Sequence, residues 1–177
     1  MEDTTNIVSC TYEGHADQIL AILNDAIIHS TALYDYRPRT METMRPWFEA
    51  KTQGGFPVLG AVNGKGVLRG FASYGTFRSF PAYKYTVEHS VYVHKDHRGH
   101  GVGRLLLARL IETARAQDKH VLIGAIDRSN RASIALHTAL GFFHAGTLRE
   151  VGFKFGEWLD LDFYQLVLST PDEPEDG

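Results

Sequence analysis

The most readable chemistry lies in Arg98-Gly99-His100-Gly101-Val102-Gly103-Arg104, a glycine-rich turn between a strand-like run and an apolar helical run. Glycine lets a backbone approach a ligand closely. The first turn of a helix adds unpaired N–H groups and a partial positive charge. Together they make an anion site suited to a pyrophosphate, with Arg98 and Arg104 adding charge at its rim. Two other phosphate loops do not fit. A dinucleotide fingerprint, G-x-G-x-x-G, would need glycine where Arg104 stands, and an acidic residue about 20 positions on, where His120 stands. A nucleoside-triphosphate loop needs Gly-Lys-Ser/Thr, which is absent. A plain turn, with glycines serving conformation alone, stays open at this point.

Further candidates lie on either side. Glu88 is either a proton acceptor or an ordinary strand carboxylate. Ser90 beside His89 is no hydrolase site, because no G-x-S-x-G surrounds it and adjacent strand residues point to opposite faces. His94, His97 and His100 have three-residue spacing, but no second ligand motif accompanies them, so no metal is expected. Arg78 suits a carboxylate or an oxyanion, or is a solvated loop charge. Asn130 can cap a helix, and His137 lies on that helix as either a proton donor or a hydrogen-bonded internal residue.

Longer motifs narrow this choice. Arg98-x-x-Gly101-x-Gly103 resembles the acyl-CoA loop of the GCN5-related N-acetyltransferases. Asn130 with Ala135-Leu136-His137 and Leu140-Gly141-Phe142 is similar to the second signature of that superfamily. Thr86-Val87-Glu88-His89-Ser90-Val91-Tyr92-Val93 and Lys154-Phe155-Gly156-Glu157-Trp158-Leu159-Asp160-Leu161 resemble the phosphinothricin and methionine sulfone/sulfoximine acetyltransferase subfamily. The similarity runs from Ile7 to Leu168.

The resemblance implies acetyl-CoA as co-substrate, without a metal, and the α-amine of a small amino acid as acceptor. It implies Glu88 as general base, acting directly or through water. It implies pantetheine pairing with Val91, Tyr92 and Val93, and a backbone N–H near Val91 that stabilises the thioester oxyanion. The pyrophosphate falls to Arg98, Gly99, His100, Gly101, Val102, Gly103 and Arg104, with Asn130 and Ser133 as further cofactor residues. His137 becomes a proton donor to the leaving thiolate. Arg78, Ser79, Phe80, Glu88, His89, Ser90 and Tyr34 would meet the substrate. Tyr36 and Phe77 would wall its side-chain pocket. Tyr34 stands where tryptophan is common, and Gly75-Thr76-Phe77 replaces Gly-Asp-Trp. An α-amine, with a pKa near 7.7–8.0, is roughly a tenth or more neutral at pH 7, so modest base assistance suffices. The alternatives are the same fold acting on a peptide N-terminus, polyamine or aminoglycoside, or a non-catalytic acyl-CoA-binding module. Relatives of this kind form homodimers, so a homodimer is expected.

These groups need a scaffold. Ile7 to Tyr12 reads as a strand. Apolar residues at Ile19, Ile22, Leu23, Ala26 and Ile27 predict a helix over Ala16 to His29. Thr40 is placed to cap a helix reaching Gln53, with Pro46 either in its first turn or kinking it. Val58 to Val62 and Val67 to Tyr74 read as a hairpin through Asn63-Gly64-Lys65-Gly66. Thr76 to Tyr83 is a loop, and Thr86 to Val93 a strand. A helix runs from the glycine turn to about Gln117, a strand over His120 to Ile126, and a helix from Asn130 to Leu140, where Gly141 stops it. Leu159 to Leu168 is the last strand. The order predicts an α/β (α+β) fold, a mixed central sheet flanked by helices. This is also what the acetyltransferase resemblance implies.

With 177 residues the chain suits one domain, taken as 1–168, followed by an acidic tail, 169–177, read as disordered. Four of the 21 acidic residues (Asp172, Glu173, Glu175, Asp176) sit in that tail, so the net charge of −3 belongs to it. The body is nearly neutral, with its basic cluster around the glycine turn. That argues against bulk nucleic-acid binding and favours one small polyanion. Cys10 is the single cysteine, so no internal disulfide can form, and a reducing compartment fits. The polar start, Met1-Glu2-Asp3, is unlike a secretory leader, and no apolar run approaches the roughly 18 residues of a membrane span. A cytoplasmic protein without membrane partners is expected.

Overall fold

Thr11, not Ala16, begins the first helix. Its backbone is extended, and its hydroxyl accepts the Gly14 N–H at 3.2 Å, so it serves as N-cap. The preceding strand β1 (Asn6–Ser9) therefore ends before Tyr12, and helix α1 covers Tyr12–His29. The computed structural model describes residues 4–176; Met1, Glu2 and Asp3, with Gly177, lie outside the described residues. Ile19, Ile22, Leu23, Ala26 and Ile27 are all buried, as their spacing predicts.

Helix α2 (Met41–Gln53) follows, with Thr40 at its cap position but no side-chain cap bond there. Pro46 lies beyond the first turn, inside the helix. Lacking an N–H, it leaves the Glu42 carbonyl without the usual helical donor. Strands β2 (Val58–Val62) and β3 (Leu68–Thr76) form the expected hairpin. The positive φ falls on Gly66, at +77°, rather than at Asn63-Gly64. Asn63 organises the turn through its side chain, accepting the N–H groups of Lys65 and Val67 at 2.9 Å each.

Strand β4 (Thr86–Val93), helix α3 (Val102–Ala116), strand β5 (Val121–Asp127) and helix α4 (Arg131–Ala139) occupy the expected places. Gly141, at φ +89°, ends α4, and Phe142 donates back to the His137 carbonyl at 3.0 Å while its ring is buried. The main correction comes next. Phe143–Lys154 is a strand, β6, which the periodicity does not predict. Register shifts at His144/Gly146 and Leu148/Gly152, with Glu150 at φ +52°, break the two-residue alternation that marks strands. A tight turn at Phe155-Gly156, both with positive φ, leads to β7 (Glu157–Val167).

The sheet is mixed, in the order β1-β2-β3-β4-β5-β7-β6. β4 and β5 are parallel, whereas β1–β2, β2–β3, β5–β7 and β6–β7 are antiparallel. Within this organisation the chain forms two compact units. Of the described residues, the first comprises those up to 73 and 91–110; its core packs Ile19, Ile22 and Leu23 of α1 with Met44 and Phe48 of α2 and Phe71 of β3. The second comprises 74–90 and 111–177, and buries Val87, Leu122, Ile126, Phe142 and Leu159. Among the described residues after Val167 there is neither helix nor strand. The Thr170 hydroxyl donates to the Lys119 carbonyl, and the Glu175 N–H donates to the Tyr85 hydroxyl at 3.1 Å. No helix among the described residues is long and apolar enough to cross a membrane.

Candidate active site

Strand alternation sorts the residues of β4. Val87 and His89 are buried, whereas Glu88 between them is exposed. Partial burial nevertheless raises the Glu88 carboxyl above its ordinary pKa, and the Arg78 guanidinium opposes that rise. A carboxylate with a raised pKa is a better proton acceptor than a fully solvated one. Arg78 is exposed and lies over the Phe77 ring at 5.1 Å, and Phe77 in turn meets Tyr83 edge to face. Ser79 and Phe80 are exposed beside it, Phe80 at 70%. This loop presents one cation and an aromatic surface, a combination suited to a carboxylate-bearing ligand.

The opposite face holds a different arrangement. His89 and His137 bring their Nε2 atoms to 2.8 Å, with the rings stacked and Phe142 against both. His137 Nδ1 meets the Ser133 carbonyl at 2.7 Å, so it carries a hydrogen and donates. Neutral His137 then offers only a lone pair at Nε2, and His89 must donate there. Its own Nδ1 is buried and makes no close hydrogen bond, and the Ile123 main chain opposes part of the fall in its pKa. Burial pushes the pKa of both rings down, and for His89 the neighbouring His137 pushes further.

These contacts bear on two of the expected site residues. The His89 ring is turned into the interior and cannot meet a substrate there, which leaves its main chain for that role. His137 has its Nδ1 on the Ser133 carbonyl and its Nε2 against His89, so both ring nitrogens have internal partners. Gly124 makes the pairing possible. It stands opposite His89 in the β4–β5 register, and a Cβ there would lie 3.1 Å from both His137 Nε2 and His89 Cε1. A glycine inside an apolar strand is a readable sign of close approach.

The remaining expected residues divide between the units. The second unit also holds Ser90, Asn130 and Ser133. Asn130 caps α4, its Oδ1 accepting the Ser133 N–H at 3.1 Å. The first unit holds Tyr34, half-buried in the α1–α2 connection, and Val91 through Arg104. Gly99 and Gly101 both adopt φ +78°, which only glycine takes without strain. The α3 ladder opens with Leu105 donating to the Gly101 carbonyl, so the N–H groups of Val102, Gly103 and Arg104 have no partner within the helix. His100 and Arg104 are exposed. This set fits a pyrophosphate.

The β4–β5 ladder covers Thr86 to His89 only, and Val91, Tyr92 and Val93 lie outside it. Beyond that ladder, the Val93 carbonyl accepts the Arg98 Nε–H at 3.3 Å. Cys10 offers no competing chemistry, because burial pushes its thiol up to about 12. Among the described residues no group of three or more His, Cys, Asp or Glu side chains is placed to hold a metal.

Comparison with known proteins identifies the family. Residues 19–142 match the Acetyltransferase (GNAT) family. The chain is 49% identical over 150 residues to the L-methionine sulfoximine/L-methionine sulfone acetyltransferase of Pseudomonas paraeruginosa, covering 85% of this chain and 87% of that protein. It is 46% identical over 157 residues to the L-amino acid N-acyltransferase MnaT of Escherichia coli, covering 89% and 91%. It matches the structure of a Salmonella typhimurium acetyltransferase with its cofactor acetyl-CoA at a TM-score of 0.91 and 43% identity, covering 97% and 98% of the two chains. The chain belongs to the GNAT family and is an N-acetyltransferase with the fold of that family. Phosphinothricin N-acetyltransferases are among its more distant relatives.

Proposed function

We propose that this enzyme transfers acetyl from acetyl-CoA to the α-amine of a small amino acid or analogue, such as methionine sulfoximine, methionine sulfone or phosphinothricin. The observation that carries the reading is the Glu88–Arg78 arrangement: a carboxylate with raised proton affinity, tempered by a cation on an exposed loop. Acetyl-CoA, when bound, supplies the activated thioester. The N–H groups of Val102, Gly103 and Arg104 hold its pyrophosphate, with the His100 and Arg104 side chains at the rim. The main chain at Val91 to Val93 takes the pantetheine arm, and an N–H near Val91 faces the thioester oxygen.

Arg78, with Ser79 and Phe80, holds the acceptor's carboxylate, and the main chain of His89 and Ser90 completes that grip. Glu88 takes the ammonium proton, directly or through water. His137 keeps α4 in register with β4, the CoA sulfur leaves as a thiolate, and the second proton lost by the acetylated nitrogen passes to solvent. Residues 1–168 act as the catalytic domain in the cytoplasm. A second copy of the chain covers the apolar side chains Leu148, Phe153, Phe155 and Trp158 that β6, β7 and their turn expose.

Thiol release from acetyl-CoA, measured over amino acids and their sulfone, sulfoximine and phosphinate analogues, tests the reading. Release dependent on one of these α-amines is expected. Release only with a peptide N-terminus, polyamine or aminoglycoside would move the acceptor class. CoA-induced thermal stabilisation without any release would make the chain a binding module.

A further inference from the structure

The two glycines at the tip of the turn leave open space where a side chain would stand. A Cβ built at Gly99 or at Gly101 meets no atom within 4 Å, and both residues adopt φ +78°. Glycine is the residue with most backbone freedom to lose, so such a turn holds its shape only through its ends. The far end is the start of α3, where Val102 is buried and Leu105 bonds Gly101. The near end is Arg98. Its Nη2 donates to Asp25 Oδ2 of α1 at 2.9 Å, and its Nε donates to the Val93 carbonyl at the end of β4 at 3.3 Å. Asp25 is well seated, with a side chain only 22% exposed beside the buried Ala26 on α1.

We infer that Asp25 is a positioning residue for the cofactor turn, acting through Arg98, whose guanidinium fastens the turn instead of serving as a free phosphate ligand. The inference rests on the acetyl-CoA reading above. It makes a prediction of unusual sign. By charge alone, removing a carboxylate beside a pyrophosphate site strengthens anion binding, and freeing Arg98 strengthens it again. If the pair instead fixes the turn, removing the carboxylate loosens the N–H groups that hold the anion and weakens binding. An exposed ion pair has a modest effect, so about a fivefold change is expected.

The experiment compares wild type with Asp25→Asn at fixed ionic strength. Amide hydrogen exchange over residues 98–104 of the ligand-free protein should be faster in the variant. CoA binding measured by calorimetry should weaken about fivefold. The KM for acetyl-CoA should rise to match, with kcat and the acceptor KM nearly unchanged, and Asp25→Glu should recover part of the loss. Tighter CoA binding, or unchanged exchange over the turn, would overturn the inference. If Asp25→Asn fails to fold, Arg98→Gln gives the same exchange test from the other partner. Failure of the acetyltransferase reading is separate: wild type would then bind no CoA, while the exchange contrast would stand or fall by itself.

Discussion

Glu88 and His89 are neighbours in sequence and opposites in environment. Glu88 faces outward, keeps a charge, and is tuned by partial burial against Arg78. His89 faces inward, where its ring is locked to His137 and neither ring can be charged cheaply. The two-residue period of a strand thus separates the face of the proposed proton acceptor from one where burial disfavours charge. The second face is not idle: it fixes the strand that carries the first. If this division is correct, damage to the two faces should separate into loss of rate and loss of stability.

The largest effect is expected from Glu88→Gln. It removes the proposed base but keeps shape and hydrogen-bonding capacity, so kcat should fall about 10²–10⁴-fold. Acetyl-CoA binding should hardly change, and Tm should not drop, because the variant also removes a partly buried charge. The wild-type rate should rise with pH through the raised carboxyl pKa, and the variant should lose that limb. Steady-state kinetics across pH, with thermal melts, checks all three. A variant with near-normal kcat would remove Glu88 from the reaction.

Gly124→Ala strikes the other face. The added Cβ would stand 3.1 Å from His137 Nε2 and His89 Cε1, two buried rings that cannot move without breaking their mutual bond. Overpacking of this kind costs about 1–3 kcal/mol, which for a chain of this size lowers Tm by roughly 2–10 °C. The remaining folded enzyme should keep most of its kcat. An unchanged Tm would mean the rings yield easily and hold nothing in place.

The legible and illegible parts of the molecule follow the same physics. The glycine turn and β4 announce themselves through residue types at short spacing, because one local backbone geometry demands them. The buried pair does not: His89 and His137 are 48 residues apart, and neither has an unusual neighbour in sequence. Arg98 and Asp25 are separated by 73 residues, so the anchor of a readable turn was itself unreadable. Strand β6 was hidden because its register shifts and exposed side chains erase the alternation that would mark it. Gly124 is the exception. A lone glycine in the apolar run Val121 to Ile126 signals that something approaches closely, though not what.

The smallest effect is also the one that best opposes the two neighbours, since their links to pH have opposite signs. His89 and His137 have depressed pKa values when folded, so the unfolded chain binds more protons. Their contribution is complete above an unfolded histidine pKa of about 6.5 and is lost as pH falls below it, by up to about 1.4 kcal/mol per pH unit for each ring. Glu88 has a raised pKa, so the folded chain binds its proton more tightly, and its contribution grows as pH falls. Because Glu88 is exposed, that opposing contribution is small. Urea unfolding between pH 5 and pH 8 should therefore show stability dropping below about pH 6.5. His89→Gln should flatten that slope by about 1.4 kcal/mol per pH unit, whereas Glu88→Gln should leave it nearly parallel to wild type. Parallel slopes for the histidine variant would mean that the pair takes up a proton in the folded state, and the contrast between the two faces of β4 would be lost.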